Sequence, residues 1–423
     1  MFLLLGPAPA WSAEDYSFDI SEIEKKPFHF GGYAEFSPEI SSIDQDAALY
    51  RLKYYNHDQA DLADAYAFKL QLEGSYEKGI ARLFTRININ AGYASDEWSD
   101  EASVYEGYLS LKPSSSLVLD AGKKTLRWGK GYAWNPVAFL DRPKNPDDPE
   151  LSLEGFVVAS ADYTRSFSGP LQTLSFTPVV IPVYDSLNDD FGRVDHLNVA
   201  GKVYLLFYDT DIDFIVLDGA SKTSRYGADF SRNITPSFEV HGEAAWIDTY
   251  QKRVIDSLGQ ISVTEYDAFS YLLGLRYLTE NDITSIVEYY HDDTGYEATE
   301  MAGYFSFIDH AYATYLSTGS DMLLAQATSA SVSGTGRANP MRDYLYARIS
   351  QKEPFDLLYF TPAITCILNL RDSSYSLSPE VIYTGMTNTE VRLKANIIHG
   401  DDASEYGEKP NDYLVELRLR YFF

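Results

Sequence analysis

The sequence predicts an all-β chain, a transmembrane antiparallel β-barrel of about 18 strands (16–20 being compatible), with long extracellular loops and short periplasmic turns. Three observations predict it. Apolar and polar residues alternate with period two through most of the 423 residues, in runs long enough to cross a bilayer. The row opposite each apolar row is charged. Tight turns alternate along the chain with long polar connections. Composition agrees: 34 Tyr and 23 Phe beside 5 Met favour pleated structure over helix.

The chain begins MFLLLGPAPAWSAEDYSF. The apolar run Phe2–Leu5, followed by small residues at Ala8, Ala10, Ser12 and Ala13, reads as the remnant of a cleaved secretory signal over residues 1–13, with cleavage after Ala10 or Ala13. Its basic start is missing, so the true start is expected upstream. Residues 14–26 read as a periplasmic N-terminal segment and 27–423 as the barrel. No later window supplies the roughly 20 apolar residues of a membrane helix. Pro27–Ile40 has two readings, a first strand or a strand that closes the barrel against the last.

The following strands declare their faces. Tyr66, Phe68, Leu70 and Leu72 alternate with Lys69, Gln71 and Glu73; Leu83, Ile87 and Ile89 alternate with Arg82, Arg86 and Asn88. Phe238, Val240, Gly242, Ala244 and Trp246 alternate with Glu239, His241 and Glu243, and Val391, Leu393 and Ala395 with Arg392 and Lys394. The last strand places Tyr413, Val415, Leu417, Leu419, Tyr421 and Phe423 on one face and Glu416, Arg418 and Arg420 on the other. Charged rows of this density cannot form the core of a soluble sandwich, because unpaired buried charge is too costly. They fit a water-filled lumen.

Tight turns are expected near Glu77–Gly79, Pro113–Ser115, Ser168–Pro170, Thr210–Asp211, Glu280–Asp282, Lys352–Pro354 and Asn388. Long connections are expected over Ser95–Glu101, Trp128–Pro149, Asp185–Asp195, Asp248–Glu265, Asp292–Met341 and Gly400–Asn411. In the longest, GYFSFIDHAYATYLSTGSDMLLAQATS carries apolar residues at mixed helical spacing, which suits either a helical lid or plug or an exposed loop with a surface helix.

The inward charges carry the functional expectation. Arg82, Arg86, Lys124, Arg392, Lys394, Arg418 and Arg420 are expected to line the lumen as a basic wall, and Glu239, His241, Glu243 and Glu288 as an acidic one. Such opposed walls make a transverse field that orients charged solutes. The stretch GKKTLRWGKGYAWNP, 122–136, ends a strand in a cationic, aromatic segment that leads into a loop of about 25 residues. It is not a phosphate loop: Gly122 and Gly129 are too far apart, and Gly131 stands where Ser or Thr belongs. Two placements remain. The loop folds into the barrel mouth as a constriction carrying Arg127, Trp128, Lys130, Tyr132 and Trp134, or it is a basic rim anchor with an exposed loop.

Other functions lose support. A net charge of −28 argues against nucleic acid as partner. The single Cys366 excludes an internal disulfide, a multi-Cys zinc site and c-type haem attachment. The seven histidines fall in no metal-binding spacing, no G-x-S-x-G is present, and no cofactor or catalytic group is expected. The acidic runs NDDFG, HDDTG and GDDASEYGE read as solvated loop ends, with weak Ca²⁺ or Mg²⁺ binding as the alternative.

The terminal LRLRYFF, with Tyr421 and Phe423, resembles the strand by which Gram-negative outer-membrane barrels are recognised for assembly. LRWGKGYAWNPV is similar to a Trp-Gly…Asn-Pro segment of large, poorly characterised porin-like barrels. The resemblance implies an outer-membrane diffusion channel, with membrane lipid, lipopolysaccharide and the barrel-assembly machinery as partners. The alternative is a sheath for a periplasmic or lumenal protein, such as the multihaem cytochrome of a porin–cytochrome conduit; an outer-membrane hydrolase is a third reading.

Overall fold

The computed structural model describes residues 27–56, 61–94 and 97–423. The expected signal remnant and the 14–26 segment lie outside these residues. The chain forms one closed sheet of 18 antiparallel strands. They are β1 (Phe28–Ser42), β2 (Leu62–Lys78), β3 (Ala81–Ala94), β4 (Glu97–Ser114), β5 (Leu117–Lys124), β6 (Phe156–Ser166), β7 (Leu171–Val183), β8 (His196–Phe207) and β9 (Thr210–Asp218). The second half comprises β10 (Arg225–Thr235), β11 (Phe238–Ile255), β12 (Ile261–Leu278), β13 (Ile283–Asp292), β14 (Asp343–Gln351), β15 (Phe360–Asn369), β16 (Tyr375–Met386), β17 (Thr389–His399) and β18 (Tyr413–Phe422).

Each strand pairs with its sequence neighbours, and β1 pairs with both β2 and β18. Both readings of Pro27–Ile40 therefore hold together: it is the first strand and it closes the barrel. Closure removes every sheet edge, which a strand in hydrocarbon requires. The even count leaves the start of β1 and the end of β18 at the same rim, called here the turn end.

The outward rows are apolar and exposed, Leu83, Phe214, Leu273 and Leu393 among them. Aromatic residues bound this band on both sides. Phe28, Tyr76, Phe167, Tyr208, Tyr277 and Phe423 stand exposed at the turn end; Tyr66, Trp98, Tyr184, Tyr226, Trp246 and Tyr413 stand exposed towards the loop end. An apolar girth between two aromatic belts matches hydrocarbon flanked by headgroups.

Three connections differ from expectation, and one of them, expected as a tight turn at Lys352–Pro354, is an eight-residue connection over 352–359 with a 3-10 turn at Pro354–Asp356. Asp248–Glu265 is not a loop: β11 runs on to Ile255 and β12 begins at Ile261, leaving a turn of five residues. Likewise β4 begins at Glu97, inside the expected Ser95–Glu101 connection. Polar composition there reflects a paired hairpin standing in water, since antiparallel backbone pairing needs no apolar side chains. Beyond Trp246, nine further residues of β11 project about 30 Å at roughly 3.3 Å each.

That hairpin supports the helices of the 293–342 connection, α2 (Ala298–Thr318) and α3 (Met322–Ala330), which pack on α1 (Ala48–Tyr54) from the first connection. A Glu297–Glu300 capping box starts α2, and Gly319, at φ 75°, ends it by returning its N–H to Tyr315. Met301, Tyr304, Phe305, Phe307 and Ile308 turn its apolar face into a buried cluster with Ile255 and Ala48. The helical reading of this segment is correct, and it is a packed lid.

Candidate functional site

The connection between β5 and β6, residues 125–155, turns into the barrel and meets three well-separated sectors of its wall. Trp128, Val137, Phe139 and Leu140 pack on the inward side of β6–β10, against Val158, Val179, Ile181, Ile215 and Leu217. Here the inward row is apolar, so the loop buries a small core inside the lumen.

The second sector is β11–β13. Glu243 accepts the backbone N–H of Gly131 at 2.6 Å and of Val137 at 3.3 Å, with that of Lys130 and the Asn135 side-chain amide at 3.0 Å. Glu288 accepts the N–H groups of Tyr132 and of Ala133 at 2.8 Å, and meets His241 Nε2 at 2.9 Å. Two wall carboxylates thus clasp consecutive amides of the WGKGYAWN segment, and such charge-assisted bonds are the stronger kind. This wrapping explains the glycines. Gly129 has φ 98°, and a Cβ there would lie 2.8 Å from Glu243 Oε1; a Cβ on Gly131 would lie 2.1 Å from Trp134 O. Lys130 reaches Asp213 at 2.9 Å and Asp229 at 3.9 Å. Burial lowers its pKa, but Asp213 more than offsets this and raises it above the ordinary lysine value.

The third sector is β17–β18. Asp148 bridges Arg392 at 3.1 Å and Arg418 at 2.8 Å, while Lys394 donates to Asp147 O at 2.6 Å. Burial would raise the Asp148 carboxyl, but Arg392 and Arg418 outweigh it and hold it below the ordinary range. Trp134 then leaves the lumen for the lid cluster. It stacks on Tyr290 at 5.2 Å, lies 5.9 Å from Tyr344, and donates from Nε1 to Asn339 at 3.2 Å.

Glu243, Glu288 and His241 are buried beneath the loop, at 3 %, 0 % and 4 % exposure, so they hold it instead of facing the lumen. Glu239 is partly exposed and lies 3.6 Å from His241 Nδ1. Among the described residues the basic sector is largely ion-paired; Lys394 instead donates to the Asp147 carbonyl, and Arg82 lies over the Phe84 ring. Arg86 meets Glu73 and Glu106; Arg392 meets Glu380; Arg418 meets Glu416; Arg420 meets Glu35; Lys124 meets Asp120. The wall there is therefore a salt-bridge lattice. Of the loop residues, Trp128 and Trp134 are buried, Tyr132 is half-buried with its pKa pushed up to about 12 by burial and the nearby Glu150, and Arg127 is exposed at φ 56°. The acidic loop runs are engaged internally: Asp190 pairs with Arg142, and Asp292 accepts from Ser270 and Thr294.

Sequence reading did not single out Asp141, Lys144, Asp148, Asp213 or Asp229. Parity alone could have found Asp213, which alternates with outward Ile212 and Phe214. The loop residues carry no such signal. Asp141 accepts the N–H of Leu126 at 2.8 Å and of Trp128 at 3.0 Å, and Lys144 donates to Gly131 O at 2.7 Å.

A closed 18-stranded meander with an inward-folded loop is a porin-like barrel. Solved structures share the architecture. Pseudomonas aeruginosa OccK11 (OpdR), 11 % identical, aligns over 93 % of this chain and 95 % of its own with a TM-score of 0.51. Pseudomonas aeruginosa OpdQ, 11 % identical, aligns over 94 % and 99 % with a TM-score of 0.50. At such identities the likeness is one of fold. No family model matches the sequence, and no curated protein matches it.

Proposed function

We propose that the chain is an outer-membrane channel of a Gram-negative bacterium through which small hydrophilic or charged solutes diffuse, with residues 125–155 as its constriction. The observation that carries this reading is the loop held across the lumen by Glu243 and Glu288 on one side and by Arg392 and Arg418 on another. An apolar girth outside and a charged lining within suit a conduit through lipid. A protein threaded through the barrel would have to displace this loop from every anchor, which weighs against the sheath reading. Export through a cleaved signal, and assembly through Tyr421 and Phe423, belong to the same proposal.

Planar-bilayer recording of the purified barrel tests it. The intact barrel should conduct without a partner, and deleting residues 130–147 should raise single-channel conductance severalfold. Equal conductance of the two proteins overturns the constriction, and silence from both overturns the channel.

A further inference from the structure

Between the outer face of the inward loop and the loop-end rims of β10–β13 lies a cavity of about 730 Å³. Its lining carries six cationic side chains, Arg127, Arg142, Lys144, Lys222, Arg225 and Arg337, and three carboxylates, Asp141, Glu150 and Asp292. In a chain of net charge −28 this is a local inversion of sign.

The partners of these groups separate structural cations from free ones. Lys144 is spent on the Gly131 and Tyr132 carbonyls. Arg142 pairs with Asp190 and lies 3.5 Å from Glu154. Arg337 donates to Thr294 and Tyr250 and stands 3.8 Å from Asp292. Asp141 and Asp292 are in turn saturated by Leu126, Trp128, Ser270 and Thr294. Arg127, Lys222 and Arg225 have no ion pair among the described residues. The Nε of Arg225 is buried with no hydrogen-bond acceptor. The Lys222 ammonium rests on the face of Phe191, 3.8 Å from the ring centroid, with Arg225 close enough to repel it.

A half-buried cation without a counter-ion is costly, and two adjacent ones are more so. Folding would not favour this arrangement for its own sake, since a carboxylate or an apolar side chain at either position would relieve it. A bound anion relieves it too. We propose that this cavity is a binding site for a small oxyanion-bearing solute, with Lys222 and Arg225 holding the anionic group and Trp128 and Pro136 walling its apolar remainder. The site sits directly above the constriction, so it would load anionic solute before passage. In that respect alone it rests on the channel reading.

Sulfate and succinate serve as probes on the full chain in detergent, because Trp128 and Trp134 line the cavity and report occupancy by fluorescence. Both should give a saturable change that choline does not. Lys222→Met with Arg225→Gln should weaken binding at least tenfold, and Lys222→Arg should keep it within about threefold. The gel mobility shift of a folded barrel on heating shows whether each variant is assembled, and Lys222→Arg carries the test if the double variant is not. No saturable change in the intact protein, or an equal one in the assembled double variant, overturns the site. Conductance is read separately: a barrel that binds sulfate but carries no current keeps the site and loses the channel, and one that conducts but binds neither probe loses only the site.

Discussion

At the scale of single residues, the ionisable groups around the inward loop take their charge state from their neighbours. Lys222 is the clearest case, because it lies in the β9–β10 connection, outside the membrane-spanning strands. Burial, and then repulsion from Arg225, push its pKa down to about 7 against the attraction of Asp190, and repulsion from Arg142 adds to the push. Arg225 faces it from β10, Asp190 and Phe191 from the β7–β8 connection, and Arg142 from the inward loop. The free-protein value is thus depressed, and the ammonium is charged below it and neutral above it. Sulfate keeps its charge across this range, so its affinity should fall as pH rises from 6 to 9, steepest near 7. Lys222→Arg should flatten the profile, because guanidinium stays charged throughout. Titrating sulfate by tryptophan fluorescence at four pH values checks this, and a flat profile in the intact protein would exclude Lys222 as a ligand.

At the scale of elements, the inward loop and the helical lid are one body joined through Trp134. Its ring stacks among Tyr290, Tyr344 and Tyr346, while Asn339 and Tyr406 bring in the last turn of the lid connection and the β17–β18 connection. Ala48 N, at the start of α1, donates to Glu408 at 2.6 Å, and Arg51 meets Asp309 of α2 at 2.6 Å. Trp134→Ala should therefore cost about 3–5 kcal/mol of local stability and loosen both elements. Hydrogen exchange should speed up in α2 as well as in residues 128–140; exchange confined to the loop would mean the two are independent. The strands were legible because alternation is a property of neighbouring residues: Leu83 faces out and Arg82 in wherever pairing holds. The Asp248–Glu265 hairpin was not, since its polar rows look like loop until the partner strand is known. The inward loop was half legible. Val179, Ile181 and Ile215 make both rows of their strands apolar, a sign that something packs inside the lumen there. Which residues do so depends on Glu243 and Glu288, more than a hundred residues further on. The unpaired state of Lys222 and Arg225 leaves no mark in the sequence, because pairing is a property of the folded cavity.

At the scale of the whole molecule, the barrel is a row of local hairpins completed by one distant seam. Every pair from β1–β2 to β17–β18 joins sequence neighbours, whereas β1 and β18 meet from the two ends of the chain, with Tyr33 opposite Phe422 and Glu39 opposite Glu416. Loop-closure entropy makes that pairing the least favoured to form early, so side chains across it bear on whether the barrel closes at all. Gly32 and Phe423 exchange backbone hydrogen bonds at 3.1 and 3.2 Å. Glu35 on β1 receives Arg420 at 2.6 Å and stands 3.9 Å from Arg418, both on β18. Glu35→Gln keeps the shape and removes the charge, leaving two guanidinium groups at the seam short of one carboxylate. Both partners are partly shielded from water, so the loss is expected at about 1.5–3 kcal/mol, the range for hydrogen bonds to charged groups. The seam should open first on heating, and the temperature at which the folded band converts to the unfolded one on a gel should drop. Glu77→Gln, on an exposed side chain at the turn end, should leave it unchanged. Equal conversion temperatures for Glu35→Gln and the parent would mean that backbone pairing and the flanking hairpins close the barrel without help from the seam's charges.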